Sequence, residues 1–165
     1  MFRVAIVTAS DTGSRGERED VSGQVVAELA RSIGASVVSH VVLEDSRELI
    51  AREMRVLADD DRADLIITTG GTGLGPRDVT PDATYDVIEF EVPGLAEAMR
   101  AAGLQKTIHA ALSRATAGVR GRTLIINLPG SPRAVRENLS AVLDALPHAV
   151  EVLKGRARDC ARLRD

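Results

Sequence analysis

The sequence predicts an α/β fold in which helices cover both faces of a mostly parallel β-sheet, giving three αβα layers. Short apolar runs rich in β-branched residues, typical of buried strands, alternate along the 165-residue chain with amphipathic segments of helical period. Glycine- and proline-rich turns separate these segments. No repeat or interdomain linker interrupts the pattern, so we expect one domain over residues 1–155 and a charged tail over residues 156–165.

The strands are predicted from five apolar runs. These runs are Phe2–Ala9, Ala35–Leu43, Leu65–Thr69, Thr116–Val119 and Thr123–Leu128. The run at 65–69 leads directly into a glycine-rich loop and is predicted to be fully buried. The short run at 116–119 is expected to form an edge strand.

Helix starts are predicted from capping residues, whose side chains satisfy free backbone N–H groups. The candidate caps are Ser22, Ser46, Thr80 and Ser131. Proline follows the last two, at the first helical position, where it is well tolerated. The helix from Thr80 is expected to continue through Ile88, a further helix to cover residues 95–102, and Pro147 to kink or restart the last helix.

Composition excludes several classes of protein. The net charge of −3 and the isoelectric point of about 5.7 argue against nonspecific nucleic-acid binding, and one Tyr, two Phe and no Trp offer few surfaces for stacking bases. The lone Cys160 excludes an intrachain disulfide and a zinc cluster of cysteines. No apolar run approaches the roughly 20 residues of a membrane span, and no signal peptide precedes the first strand, so we expect a cytoplasmic protein.

Four polar, glycine- and proline-rich segments lie at the ends of predicted strands. They are residues 10–13, 44–45, 70–78 and 127–131. In a parallel sheet, ligands bind outside the carboxyl ends of the strands, at the point where the strand order reverses. We therefore expect these segments to meet at one edge of the sheet and to form a ligand site.

The segment at 70–78 carries four glycines within six residues, a pattern that lets a ligand approach the backbone closely. It lacks the Gly-Lys-Ser/Thr of a P-loop, and the dinucleotide pattern G-x-G-x-x-G fails at Pro76. Two glycine-containing turns that run into helix starts predict an anionic ligand held by backbone N–H groups. A tight strand-to-helix connection without a ligand is the alternative for such a turn.

Asp45 and Asp78 are the candidate catalytic residues and metal ligands. Carboxylates beside an anion site repel the ligand unless a metal ion bridges them, so this pair suggests Mg²⁺. Phosphoryl or nucleotidyl transfer fits such a site, because a phosphate nucleophile is already anionic and needs mainly alignment and charge neutralisation. Two alternatives remain open: Asp45 helps to cap the helix that follows Ser46, or the chain is an unrelated α/β nucleotide hydrolase.

Gly-Gly-Thr-Gly at 70–73, followed by Arg-Asp-Val-Thr-Pro-Asp-Ala-Thr at 77–84, resembles the signature of a molybdenum-cofactor biosynthesis family. Its members include bacterial MogA and MoaB and the G domains of gephyrin and its plant counterpart. Further matching pieces are Ser10-Asp11, Ser22-Gly23, Pro93-Gly94, Leu112-Ser113-Arg114 and residues 127–131. The resemblance extends from the first strand to about Gly155 and implies a MogA/MoaB-like molybdopterin-binding domain over residues 1–155.

The resemblance also implies an activity, because active members transfer AMP from MgATP to the terminal phosphate of molybdopterin and release pyrophosphate. The essential carboxylates of the family fall at Asp78 and, by the apolar spacing of the following helix, at Asp45, with Glu44 as the fallback. Ser113 is similar to a pterin-site residue of the family. The substrate-binding residues implied in full are Ser10, Asp11, Gly70, Gly71, Thr72, Gly73, Ser113, Arg114, Pro129, Gly130 and Ser131.

The chain combines features of two branches of this family. Residues 14–23 resemble MoaB, whereas residues 77–84 resemble MogA and the eukaryotic G domains. Some MoaB members lack detectable activity, so a catalytically silent molybdopterin-binding scaffold is the alternative function. The resemblance further implies ATP as co-substrate, a homotrimer and a molybdate-insertion protein as a candidate partner, with no nucleic-acid or membrane partner.

Overall fold

Six strands form one sheet in a computed structural model of the chain, which describes residues 1–156. The strands are β1 (Phe2–Ala9), β2 (Ala35–Leu43), β3 (Leu65–Thr69), β4 (Phe90–Glu91), β5 (Ala117–Arg120) and β6 (Thr123–Leu128). Their order in the sheet is β2-β1-β3-β6-β5-β4. β1, β2, β3 and β6 run parallel, whereas the β4–β5 and β5–β6 pairs are antiparallel, which confirms the mostly parallel sheet.

Helices cover both faces of the sheet, as the three-layer prediction requires. On one face lie α2 (Val21–Ser32), α5 (Pro93–Leu104), α6 (Pro132–Val142) and α7 (Leu146–Leu153), and on the other lie α3 (Arg47–Asp59) and α4 (Thr80–Tyr85). A short α1 (Asp11–Ser14) follows β1, and 3₁₀ turns occupy Ile108–Leu112 and Leu143–Ala145. Successive strand residues point to opposite faces, so Ile6 packs in one core and Val7 in the other. None of the helices described is long and apolar enough to cross a membrane.

The parallel strands have the bounds that the sequence predicts, and several helix signals are confirmed. Ser46 Oγ accepts a hydrogen bond from the Leu49 N–H (3.4 Å), and Ser131 Oγ accepts one from the Ala134 N–H (3.2 Å). The helix predicted at 95–102 lies inside α5, and the last helix restarts with proline at the second position of α7. Residues 157–165 lie outside the described part of the chain, so the charged tail stays a prediction.

Two of the predicted caps are wrong. Asp20 caps α2, because its carboxylate accepts from the Gly23 N–H (2.8 Å), while Ser22 Oγ donates to Gly130 O (2.7 Å). Ser22 lies inside the helix, where its hydroxyl cannot reach the N–H groups of the first turn. α4 begins at Thr80 itself and has no side-chain cap.

Two further predictions are wrong near β4. α4 ends at Tyr85 and does not reach Ile88, because the chain turns there and the Glu89 N–H donates to Val119 O (2.7 Å). The strand predicted at 116–119 is β5, which lies inside the sheet, and the edge strand is β4. A strand of two residues is too short to show an alternating pattern of apolar and polar residues.

The strand order reverses at β1, because β2 lies on one side of it and β3 on the other. The carboxyl ends of the parallel strands meet at one edge, where Ala9 pairs with Leu43 and Thr69 with Leu128. All four predicted ligand segments therefore lie at this edge. A crevice outside it is the position in which open α/β sheets bind ligands.

A buried carboxylate stabilises the other end of the parallel strands, where these strands begin. Asp64, just before β3, accepts from the backbone N–H and the guanidinium of Arg3 (both 2.7 Å) and from Lys154 Nζ (2.5 Å). Burial alone raises the pKa of Asp64, but these hydrogen bonds outweigh burial and lower the pKa to about 2. The stability that this cluster contributes is present above the ordinary aspartate pKa and is lost as the pH falls toward 2.

Candidate functional site

A cavity of about 350 Å³ opens at the carboxyl edge of the sheet, beside the reversal in strand order. We call it the carboxylate pocket, because Asp11, Asp45 and Asp78, which follow three different strands, all line it. It brings together many of the predicted site residues, namely Ser10, Asp11, Asp45, Gly70, Gly71, Asp78 and Gly130. The convergence expected from topology is therefore observed.

Asp11 and Asp45 hold each other in place through the backbone. The Asp11 N–H donates to Asp45 Oδ2 (3.1 Å), and the Asp45 N–H donates to Asp11 Oδ1 (3.0 Å). Ser10 Oγ accepts from the Gly13 N–H (3.0 Å) and so caps α1. The two hydrogen bonds between Asp11 and Asp45 hold the Asp45 carboxylate at the pocket, just after the end of β2. Its neighbour Glu44 is exposed and does not line the pocket.

The two carboxylates have opposite electrostatic surroundings. Burial raises the pKa of Asp45, and the negative charges of Asp11 and Asp78 raise it against the opposing effects of the Asp11 N–H and of Arg77. Hydrogen bonds from Arg77 lower the pKa of Asp11. A carboxylate whose pKa is raised in a cleft is a candidate functional group, and a bound cation would favour its charged form.

Arg77 belongs to the pocket, although the sequence-based set of binding residues omits it. Its Nε donates to Asp11 Oδ2 (3.1 Å), and a terminal nitrogen donates to Asp11 Oδ1 (2.7 Å). The Arg77 side chain is 61% exposed, so this ion pair is weak enough to exchange for another anion. Its place in the Arg-Asp-Val-Thr-Pro motif was a usable signal, but its partner lies 66 residues away in the chain.

Glycines fix the position of Asp78. The Gly75 N–H donates to Asp78 Oδ2 (2.8 Å), and a Cβ on either Gly73 or Gly75 would lie 2.9 Å from that oxygen. Gly70 has a φ of +93°, and a Cβ there would collide with Ala9 O. The loop therefore folds around the Asp78 carboxylate at distances that only glycine permits.

A second cavity, of about 270 Å³, also has the glycine loop as a wall, and we call it the apolar pocket. The predicted residues Thr72, Gly73, Ser113 and Pro129 line it, together with α5, the 3₁₀ turn at Ile108–Leu112 and α6. Ser113 Oγ accepts from the Ala115 N–H (3.3 Å). Asn138 contributes an amide that the sequence did not single out, because one polar residue on an amphipathic helix carries no distinguishing pattern.

Arg114 and Ser131 line neither of these two pockets. Arg114 supports the glycine loop, because its Nε donates to Gly73 O (2.9 Å) and its terminal nitrogens donate to Asp78 O and to the Asp82 carboxylate (3.0 Å). Ser131 caps α6. These contacts hold the loop and the helix in position, and Arg114 also lines a separate cavity of about 370 Å³. The substrate contacts of Arg114 and Ser131 stay predictions.

Asp20 and its partner Thr8 form a further wall of the carboxylate pocket. The Asp20 carboxylate accepts from Thr8 Oγ1 (2.6 Å) and from the Gly23 N–H, and His40 Nε2 lies 2.7 Å away. Burial by itself raises the pKa of Asp20, but these hydrogen bonds outweigh burial and lower it. Sequence reasoning missed Asp20 because it stands in a charged stretch, although its spacing to Gly23 is that of a helix cap.

The donors of the carboxylate pocket suit a magnesium ion that is bound together with a phosphate. Within residues 1–156, no three His, Cys, Asp or Glu side chains are grouped so that they could hold a metal ion by themselves. Mg²⁺ commonly binds one or two carboxylates together with substrate phosphate oxygens and waters. Asp45 and Asp78 supply two carboxylates, and a cation beside them would offset the burial and the neighbouring negative charges that raise the pKa of Asp45.

Known proteins resemble the chain over nearly its whole length. The family described as "Probable molybdopterin binding domain" matches residues 5–148. A protein named molybdopterin adenylyltransferase from Helicobacter pylori is 39% identical over 156 residues, which cover 93% of this chain and 89% of that protein. A protein of the same name from Escherichia coli is 34% identical over 171 residues, which cover 93% of this chain and 86% of that protein.

Solved structures agree with these matches. The molybdopterin biosynthesis enzyme MoaB from Thermus thermophilus superposes with a TM-score of 0.88 at 52% identity, covering 94% of this chain and 98% of that chain. A structure of MogA superposes with a TM-score of 0.86 at 40% identity, covering 92% and 99%. The predicted resemblance and the αβα fold are both confirmed. This chain therefore belongs to the molybdopterin-binding domain family of molybdenum cofactor biosynthesis, the family of MogA and MoaB.

Proposed function

We propose that this protein is a molybdopterin adenylyltransferase, which transfers AMP from MgATP to the terminal phosphate of molybdopterin and yields adenylylated molybdopterin and pyrophosphate. Family membership and the names of relatives at 34–39% identity support this activity. The observation that carries the proposal is the meeting of Asp45 and Asp78 in one pocket with Arg77, at the edge where α/β sheets bind nucleotides.

The reaction joins a terminal phosphate oxygen of molybdopterin to the α-phosphorus of ATP. The bond from that phosphorus to the bridging oxygen of pyrophosphate breaks, and its electron pair leaves with pyrophosphate. Because the attacking oxygen is already anionic, the reaction needs no general base. The protein has to align two phosphates that repel each other and to neutralise their charge.

The groups of the carboxylate pocket suit this task. Arg77 is paired with Asp11 through an exposed and exchangeable contact, so its guanidinium can turn to a phosphate oxygen when the nucleotide binds. Gly71, at a φ of +63°, leaves the backbone open to close approach. Asp45 and Asp78 would hold Mg²⁺, which supplies further neutralisation of the nucleotide phosphates when bound.

We assign the nucleotide phosphates to the carboxylate pocket and the pterin ring to the apolar pocket. A flat ring with polar edges fits a pocket whose exposed surface is mostly apolar and whose lining also includes polar side chains, among them Ser113 and Asn138. The terminal phosphate of molybdopterin then lies at the glycine loop, which both pockets share, near Thr72 and Gly73.

The proposal extends to assembly and cellular setting. We expect a cytoplasmic homotrimer, with a molybdate-insertion protein as the partner that receives the product. Leu74, Leu104, Ile108 and Leu112 are large apolar side chains that are 43–74% exposed, which suits a protein interface. Light scattering should give three times the 17.5 kDa mass of the chain, and a monomeric mass would contradict the trimer.

A catalytically silent molybdopterin-binding scaffold is the second candidate function. The 52% identity to a MoaB structure favours the scaffold, because the MoaB branch includes silent members. The presence of both Asp45 and Asp78 favours the enzyme. Incubation with molybdopterin, ATP and Mg²⁺, followed by mass spectrometry and a pyrophosphate assay, distinguishes the two. Adenylylated pterin formed over several turnovers supports the enzyme, and pterin binding without product supports the scaffold.

A further inference from the structure

The hydroxyl of Thr80 is buried without a hydrogen-bond partner. Thr80 is 0% exposed, and within residues 1–156 its Oγ1 is the buried side-chain atom for which no partner is found. A buried hydroxyl that loses its hydrogen bonds to water without replacing them destabilises the fold. Such an atom in the described part of the chain marks a place where a bound ligand or an ordered water can supply the missing partner.

This hydroxyl lies directly behind the carboxylate pocket. A Cβ on Gly71, which lines the pocket, would stand 2.6 Å from Thr80 Oγ1 and 3.4 Å from Asp45 Oδ1. The space that the missing side chain leaves is therefore bordered by a hydroxyl and by a carboxylate oxygen of the proposed metal site. The Thr80 N–H donates to Gly71 O (3.1 Å), which keeps the two residues together.

Thr84, one helical turn later, shows the ordinary state of a buried threonine. It is also 0% exposed, but its Oγ1 donates to Thr80 O (2.9 Å) and accepts from Asn127 Nδ2 (2.9 Å). The two threonines of α4 therefore differ in one respect, since the fold uses the hydroxyl of Thr84 and leaves that of Thr80 unused. The unused hydroxyl is the one that faces Gly71.

We propose that Thr80 Oγ1 is a ligand-binding group, which donates a hydrogen bond to a phosphate oxygen of the magnesium nucleotide. This inference rests on the proposed adenylyltransferase function and adds one binding residue to the same site. Because Gly71 carries no side chain, a slight shift of its backbone and a rotation of Thr80 bring the hydroxyl and a phosphate oxygen together. The hydroxyl then gains its partner only in the loaded site.

The variant Thr80→Val tests this inference, because valine has the shape of threonine without its hydroxyl. The free variant should melt at the wild-type temperature or above it, since a methyl group needs no hydrogen-bond partner. Its dissociation constants for MgATP and for magnesium pyrophosphate, measured by calorimetry, should both rise about tenfold or more, as expected for a lost hydrogen bond to a charged group.

Two variants serve as matched controls. Thr80→Ser keeps the hydroxyl, so its MgATP affinity should stay near that of the wild type even where the lost methyl group lowers its melting temperature. Thr84→Val removes a hydroxyl that the fold uses, so its melting temperature should fall by about 2–8 °C while its MgATP affinity is unchanged.

Two results overturn the inference while leaving the proposed function intact. One is a free Thr80→Val protein that is clearly less stable than the wild type, which would mean that the hydroxyl serves the fold, for example through a buried water. The other is a Thr80→Val protein that binds MgATP as tightly as the wild type. A wild-type protein that binds no MgATP at all contradicts the proposed function itself.

Discussion

The carboxylate pocket and the apolar pocket share the glycine loop but differ in chemistry and construction. The first lies outside the ends of the parallel strands and is lined by Asp11, Asp45, Asp78 and Arg77. The second lies between the 3₁₀ turn and α6 and has a mostly apolar surface, although Arg100, His109 and Glu137 also line it. We propose a division in which the first pocket binds the charged phosphates and the second binds the pterin ring.

The two pockets also differ in the charge of the groups that the backbone holds. Asp11 and Asp45 each accept from the other's backbone N–H, and Asp78 accepts from the Gly75 N–H. In the apolar pocket, Ser113 Oγ accepts one bond of 3.3 Å, whereas Arg100 donates to Ala115 O and Asn138 donates to Ala134 O (both 2.8 Å). The carboxylates of the first pocket are both charged and fixed, which suits the alignment of a metal ion and phosphates, so we expect changes in the carboxylate pocket to have the larger effects on turnover.

The largest expected effect is that of Asp78→Asn. Asparagine keeps the shape and can still accept from the Gly75 N–H, but it lacks the charge that favours Mg²⁺. Adenylyl transfer should fall by about 100-fold or more, with little change in melting temperature or in pterin affinity. Turnover at several Mg²⁺ concentrations, together with pterin binding, provides the measurement.

Asp82→Asn is the matched control for Asp78→Asn. Asp82 lies four residues further on, where it both complements the dipole of α4 and pairs with Arg114 (3.0 Å). The Asp82 side chain is 38% exposed, so its loss should cost about 0.5 kcal/mol or less and leave turnover largely intact. Equal losses of activity in both variants would contradict a special role for Asp78.

The next effect concerns Arg77, which we propose binds a phosphate. Arg77→Gln should raise the dissociation constant for MgATP about tenfold, because a charge-assisted hydrogen bond to phosphate is lost. Arg47→Gln is the control, since Arg47 makes the same two-pronged contact with Asp86 (2.6 and 2.7 Å) but lines neither pocket. Equal MgATP affinity in both variants would remove Arg77 from the site.

A smaller effect is expected from Ser113→Ala in the apolar pocket. Loss of one hydrogen bond to a neutral group should weaken pterin binding about fivefold and leave MgATP binding unchanged. Ser32→Ala, on the exposed end of α2, removes a hydroxyl that lines neither pocket and should change neither affinity. A Ser113→Ala variant that loses MgATP affinity instead would reverse the assignment of the two pockets.

The smallest expected effect is a difference between the pKa values of Asp45 and Asp11. Carboxyl ¹³C NMR of the free protein should place the midpoint of Asp45 above the ordinary aspartate pKa and that of Asp11 below it. Asp78→Asn should lower the pKa of Asp45, because one neighbouring negative charge is removed. Mg²⁺ affinity should fall as the pH falls through the raised pKa of Asp45, while Asp64 still stabilises the fold. Identical midpoints for Asp45 and Asp11 would contradict the electrostatic account.

The sequence was sufficient to predict the features that depend on local patterns and on topology. Buried β-branched runs gave the bounds of the four parallel strands, and the convergence of their carboxyl ends gave the carboxylate pocket. The contact between Arg77 and Asp11 joins residues far apart in the chain, so no local pattern could reveal it. The cap of α2 is Asp20, whereas the sequence predicted Ser22. The identity of the cap depends on the residue at which the helix begins, and local propensity leaves that start open by a few residues.

A structure of the protein with adenylylated molybdopterin bound tests the division between the pockets most directly. The account predicts that the AMP phosphate and Mg²⁺ lie in the carboxylate pocket beside Asp45 and Asp78, with Arg77 turned from Asp11 to a phosphate. It also predicts that the pterin ring contacts Ser113 and Asn138 in the apolar pocket. A structure with the pterin ring against Asp45 and Asp78, and the nucleotide against Ser113, would contradict it.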